Sequence, residues 1–330
     1  MKKITMITLL LASGLLTTTA AMATSASYEY CSTDGCRNGG SQTVTSTYAK
    51  TKYPVILAHG MAGFTAILGI EYFYGVGPNL TANGARVFET QVASFNSSYV
   101  RGEQLLNQTQ QILAITGASK VNIIAHSQGA QDSRYVAALI PSKIASVTTV
   151  GGVNAGTPVA DIVAGVAKTP AGSALAPLVS AGVNAFFSLV GVASGQRYSQ
   201  NTMAGLNQLT TAGTAAFNAK FPAGLPTTSC GQGPAVANGI HFYSWGGTGK
   251  LTNFFDVSDP ILAVTGSLIS GGSDGLVPKC ATHLGQVIRD DYNQNHVDEI
   301  NQIFGLVDLF QASPVTLYRQ QANRLQQAGL

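Results

Sequence analysis

The sequence predicts an α/β domain with a mostly parallel central sheet and helices on both faces. Three observations predict it. Between residues 53 and 151, short apolar runs alternate with segments of helical periodicity, and that alternation requires crossover connections. The runs are apolar nearly throughout, as strands buried on both faces are. The chain has 330 residues, 45% of them hydrophobic and only 10% charged, which excludes disorder and allows a large core.

Each element follows in order. MKKITMITLLLASGLLTTTAAMA places Lys2 and Lys3 before an apolar run too short to span a bilayer, then Ala21, Met22 and Ala23 as a small-x-small site. This predicts a secretory signal peptide over residues 1–23 and a single domain over 24–330. Residues 24–50 read as a polar, Gly/Ser-rich lead. YPVILAHG (53–60) and ARVFETQVA (85–93) read as strands. In RGEQLLNQTQQILAITG (101–117), Leu105, Leu106, Ile112 and Leu113 recur at helical spacing, and Gly117 closes the helix. VNIIAH is a strand, QGAQDSRYVAALI (128–140) a helix stopped by Pro141, and ASVTTVGG a strand. HFYSWGG (241–247) is one more strand. Residues 252–300, rich in Asp, Gly, Ser and Asn, read as long loops, which in a parallel sheet carry working residues at the carboxyl ends of strands.

Thr169 to Gln196 contains no charged residue, but Pro177, Gly182 and Gly191 interrupt it. Leu175, Leu178, Val179, Val183, Phe186 and Val190 share one helical face, so a one-sided helix fits better than a membrane span. Such a helix is either permanent core or a mobile cover for a greasy substrate, and we expect a lid insertion around 165–200.

The formal net charge is +3. Losing Lys2 and Lys3 with the leader brings it close to zero, which leaves no electrostatic footprint for nucleic acid. Export leads into an oxidising space where the four cysteines pair. Of the three possible pairings, loop closure favours Cys31 with Cys36 and Cys230 with Cys280.

Two serines stand in catalytic-looking pentapeptides. GGSDG (271–275) matches the G-x-S-x-G nucleophile elbow literally, whereas AHSQG (125–129) has Ala125 in the first glycine position. Context reverses the ranking. An elbow needs a strand running in and a helix running out, so that the hydroxyl stands clear of the turn and the helix N-terminus faces developing negative charge. GGSDG follows a Ser/Gly cluster and precedes LVPK, whose proline argues against a helix. Ser127 has both flanks, with an ordinary helix cap as its competing role.

A serine needs a base to take its proton and an acid to orient that base. In the order Ser, Asp, His, a late loop histidine is best placed, which selects His296 in DDYNQNHVDEIN, with His283 second. His126 adjoins the serine but is expected to point away along the strand. Asp274 is the expected acid, with Asp256 and Asp259 as competitors and a simple turn role as its bland alternative. The oxyanion formed on ester attack needs two backbone donors, expected from Gln128 and from Met61 in HGMAGF.

Together HGMAGF, AHSQG, SDGLVP and NQNHVDEINQIFGL resemble the secreted bacterial lipases of the Pseudomonas and Burkholderia type, over most of residues 50–320. The resemblance implies an α/β-hydrolase fold with a helical lid, the triad Ser127, Asp274 and His296, and oxyanion donors at Met61 and Gln128. It also implies one structural calcium ion, held by the carboxylates of Asp256 and Asp298 and the backbone oxygens of Gln302 and Leu306. Hard oxygen ligands suit that ion. Cys230 with Cys280 matches the family's single disulfide, while Cys31 and Cys36 fall outside its pattern. Further implications are a membrane-anchored foldase chaperone in the periplasm and a lid that opens at an oil–water boundary.

The expected function is hydrolysis of triacylglycerol by a secreted enzyme through an acyl-enzyme on Ser127. An esterase or polyester depolymerase acting on shorter or soluble acyl groups is the alternative. A non-catalytic module binding apolar surfaces is the third reading.

Overall fold

The computed structural model describes residues 24–67, 69–165, 177 and 198–330. The leader and most of the expected lid insertion lie outside the described residues. Two strands, β1 (Ser25–Ser32) and β2 (Gly35–Thr43), form a hairpin before the first expected strand, β3 (Val55–Ala58). A small pair, β4 (Ala66–Ile67) and β5 (Ile70–Glu71), leads into helix α1 (Val76–Ala82) and β6 (Val87–Thr90). The alternation then runs α2 (Ser98–Thr116), β7 (Val121–His126), α3 (Gly129–Leu139), β8 (Ile144–Val150) and α4 (Pro158–Val163). Helices α5 (Thr202–Leu209) and α6 (Thr211–Lys220) precede β9 (Val236–Ala237) and β10 (Ile240–Gly247). Helix α7 (Asp259–Gly266), β11 (Gln286–Tyr292) and helix α8 (Pro314–Gln327) complete the described chain.

The main sheet runs β2-β1-β6-β3-β7-β8-β10-β11, with β9 beside β10. From β1 to β11 the neighbours along this path are parallel; β2 and β9 alone are antiparallel to their partners. All six residues of β7 are buried. Side chains alternate between two cores. Val55, Leu57 and Ile124 pack with Leu80 of α1 and Tyr318 of α8 on one face. Ile56, Ala58, Ile123 and Ala125 pack with Leu105 and Ile112 of α2 and Val136 of α3 on the other. Helix α2 is capped by Ser97, whose hydroxyl accepts from the Val100 N–H at 3.5 Å, and it ends at Gly117 with φ 65°.

Two expectations need correction. Residues 25–43 are no polar lead but a hairpin that extends the sheet. Tyr28, Tyr30 and Cys31 turn inward from β1, and Gly35 supplies the positive φ of its turn. The paired positions Cys31 and Cys36 carry a disulfide across that turn. The stretch 252–300 likewise holds more than loops, since α7 and β11 lie within it. Strand β11 is a partly exposed edge carrying Arg289, Asp290 and Asp291, which masked it in a search for apolar runs.

Candidate active site

Strand β7 runs straight into Ser127, which has φ 55°. A left-handed serine is strained, and here the sharp strand-to-helix turn imposes it. Two glycines make the turn possible. A Cβ on Gly129 would lie 2.7 Å from the Ala58 carbonyl oxygen, and one on Gly60 would lie 2.6 Å from Ser127 Cβ. The elbow is thus pressed against the loop that follows β3.

Ser127 Oγ lies 2.9 Å from His296 Nε2, and His296 Nδ1 lies 2.8 Å from Asp274 Oδ2. His296 arrives from the loop after β11, at the same sheet edge as the carboxyl end of β7. Asp274 is fully buried, and its second oxygen accepts from the N–H groups of Leu276 at 2.8 Å and Val277 at 2.6 Å. Its own carbonyl accepts from the His296 N–H at 2.8 Å. The acid and the base are therefore fixed to each other through both side chain and main chain. With Nδ1–H donating to a carboxylate, Nε2 is left as the acceptor for the serine proton.

Beside the serine, among the described residues, the N–H groups of Met61 and Gln128 donate no hydrogen bond. They are free to serve an oxyanion. The loop that carries Met61 is held from several sides. Arg101, fully buried, donates to the His59 carbonyl at 2.8 Å and to Asp132 at 2.8 Å. His59 Nε2 accepts from the Val92 N–H at 3.2 Å, so Nδ1–H donates to the Gly60 carbonyl at 2.8 Å. Burial, and then the nearby Arg101 charge, lower the His59 pKa to about 3, which keeps that ring neutral.

Behind the triad lies a second row that the sequence reading missed. Among the described residues the His126 ring makes no hydrogen bond to Ser127, but it is not idle: its centroid is 4.5 Å from that of His296. The Gly60 N–H donates to the Tyr72 oxygen at 3.1 Å, and that phenol meets His126 Nδ1 at 2.7 Å. On its far side His126 Nε2 faces Glu299 Oε2 at 3.5 Å. Glu299 is fully buried, accepts from the Gly247 N–H at 2.7 Å, and lies 3.8 Å from His296 Nδ1. Burial, with Asp274 nearby, pushes its carboxyl well above the usual range, while burial pushes His126 well below. An acid three residues after the candidate base was the available signal for Glu299. Tyr72, arriving from a different segment, had none.

The competing candidates go elsewhere. His283 binds Asp290 at 2.9 Å and the Gly231 carbonyl at 2.8 Å, beside the Cys230–Cys280 disulfide. Ser273 is fully buried, in a turn bridged to Pro278. Asp259 ties Thr252, Asn253 and Asn295 together.

Asp256 and Asp298 lie in one neighbourhood. Burial, with the charges of Asp256 and Asp259 adding to it, raises Asp298 to about 7. Asp256 Oδ2 and Asp298 Oδ1 are buried without a hydrogen-bond partner, and among the described residues the carbonyls of Gln302 and Leu306 accept no backbone hydrogen bond. Two buried carboxylates with free oxygens fit a hard divalent cation.

A family model for the alpha/beta hydrolase fold matches residues 53–284. The chain belongs to the α/β-hydrolase family. Within this family, a triacylglycerol lipase of Vibrio cholerae serotype O1 is 47% identical over 284 residues, covering 86% of this chain and 90% of that one. Triacylglycerol lipases of Burkholderia plantarii and Pseudomonas fragi are each 40% identical, covering 86% and 85% of this chain and 88% and 98% of their own. These relatives bear out the resemblance carried by the four motifs. A solved Bacillus licheniformis lipase in its mature form superposes on this hydrolase with TM-score 0.53 at 17% identity, covering 77% of this chain and 89% of that one. That likeness concerns the fold.

Proposed function

We propose that this chain is an exported triacylglycerol lipase that works through an acyl-enzyme on Ser127. The observation that carries the proposal is the unbroken line from Ser127 Oγ through His296 to Asp274 at a strand-to-helix turn, taken with the relatives' shared name. Ser127 Oγ attacks the ester carbonyl while His296 Nε2 takes its proton. Asp274 holds the imidazole in the required tautomer and stabilises the imidazolium that forms. The N–H groups of Met61 and Gln128 receive the negative charge on the carbonyl oxygen. His296 then returns the proton to the departing alcohol oxygen. Water, deprotonated by the same imidazole, attacks the acyl carbonyl and releases the fatty acid, and Ser127 regains its proton.

In this reading Asp256 and Asp298, with the backbone oxygens of Gln302 and Leu306, hold one calcium ion. The ion supplies fixed charge that pins the loop carrying His296, two residues before Asp298. Residues 165–200 form the cover that opens on contact with oil. Residues 1–23 direct export, in keeping with the two disulfides, and a membrane-anchored periplasmic foldase assists folding. The test is Ser127→Ala beside Ser273→Ala, each assayed on emulsified long-chain triglyceride and on a soluble short ester. Ser127→Ala should abolish both activities and Ser273→Ala should retain most of both. A wild-type enzyme active on the soluble ester alone would favour the esterase reading.

A further inference from the structure

Away from the nucleophile, two loops expose an unusual amount of apolar surface. Leu251, Phe254, Phe255 and Val257 stand out from the loop after β10, and Leu309 and Phe310 from the loop after β11. Phe254 is 97% exposed and Phe310 95%. Phe254 and Phe255 meet edge to face at 5.5 Å; a phenylalanine carries roughly 150–250 Å² of surface, so three of them on two joined loops offer apolar area of the size that marks an interaction site. The loops are one body. Asn253 donates to the Val307 carbonyl at 3.0 Å, and Asn295 to Asp259 at 2.7 Å.

Position and charge identify the occupant. Strands β7, β8, β10 and β11 are parallel, so both loops leave the same sheet edge at which Ser127 and His296 meet. Neither 251–258 nor 303–313 contains a lysine or arginine, and Lys250, at the base of the first loop, is turned to the Gly266 carbonyl at 3.1 Å. Their two acids are turned to internal work: Asp256 is buried, and Asp308 accepts from Asn293 and from the Phe310 N–H at 2.8 Å. Uncharged aromatic tips without cations suit a neutral apolar surface, not an anionic headgroup layer or nucleic acid. Phe254 and Phe310 are almost wholly clear of the rest of the chain, which favours insertion into a fluid surface.

We propose that these two loops form a fixed docking surface that seats the enzyme on neutral acylglycerol, separately from any movement of residues 165–200. The proposal rests on the lipase reading above. It deepens that reading by naming which face meets the oil.

The experiment uses the full-length chain carrying Ser127→Ala, so that binding is read without turnover. Partition into triolein droplets is measured for this protein and for the same protein with Phe254→Ser, Phe255→Ser and Phe310→Ser. The expected result is a fall in the partition coefficient of about tenfold or more. In the Ser127 background, the same three substitutions should leave kcat/KM on a soluble butyrate ester and the melting temperature unchanged. Single Phe254→Ser and Phe310→Ser variants, each with a smaller loss of partition, cover the case in which the triple variant fails to fold. Equal partition of parent and triple variant overturns the proposal. Equal partition with a reduced yield of active enzyme when the Ser127 triple variant refolds also overturns it and assigns the side chains to folding. Failure of the lipase reading registers separately, as an enzyme that hydrolyses the soluble ester but not triolein.

Discussion

Replacing Gly60 by alanine puts a methyl group where the oxyanion loop meets the nucleophile elbow. The added Cβ falls 2.6 Å from Ser127 Cβ, against roughly 3.5–4.0 Å for carbons in contact, so one partner must move by about 1 Å. It cannot slide sideways, because Tyr72 Oη stands 3.0 Å away and the His126 carbonyl oxygen 3.2 Å away. Either Ser127 leaves its line to His296 or the Met61 N–H leaves the oxyanion position. Loss of one such donor costs roughly 3–4 kcal/mol, which is a 10²–10³-fold fall in kcat. Overpacking itself costs about 1–3 kcal/mol of stability. The assay is kcat and KM on a soluble butyrate ester, with active sites counted by phosphonate titration and folding followed by thermal melting. We expect kcat to fall at least about 100-fold with KM little changed. A folded variant with kcat within about threefold of wild type would refute the claim that this contact sets the oxyanion geometry.

Three other outcomes follow from the same geometry. Asp274→Asn should lower kcat by about 10⁴, the cost of the wrong imidazole tautomer; a loss below about tenfold would mean that Glu299, 3.8 Å from His296 Nδ1, does that work instead. Thorough chelation should lower activity and melting temperature together, with excess calcium restoring both, and unchanged melting after chelation would remove the proposed site at Asp256 and Asp298. For His59 the folded pKa of about 3 lies below the 6.5 of the free side chain, so its contribution is complete above pH 6.5 and is lost as pH falls toward 3. The stability cost of His59→Gln should therefore be about 3 kcal/mol smaller at pH 4.5 than at pH 7.5 by urea unfolding. An equal cost at both values would show that the ring is not kept neutral.

Legibility in the sequence depended on whether a feature had a local cause. Strand β7, Ser127 and α3 were readable because apolar run, turn and helical spacing are contiguous. Chain order brought His296 and Asp274 to attention, but their alignment depends on the β11 loop, which no local pattern specifies. The hairpin at 25–43 was missed because one of its strands is polar, GCRNGGSQT, and lies at the sheet edge. Helix α7 was hidden by its setting among loop-forming residues, and Pro260 at its start reads equally as a turn. The Tyr72–His126–Glu299 row joins three segments through buried contacts, so only the fold reveals it. His126 was set aside because strand alternation gives the direction of a side chain but not what the following loops bring to it.

The central claim is that Ser127 is made nucleophilic by His296. Labelling with a serine-directed phosphonate, followed by intact mass and peptide mapping, tests it most directly on wild type and His296→Ala. The account predicts one adduct per wild-type chain, on Ser127, and almost none in the variant over the same time. An adduct on Ser273, or equal labelling of the two proteins, would contradict it.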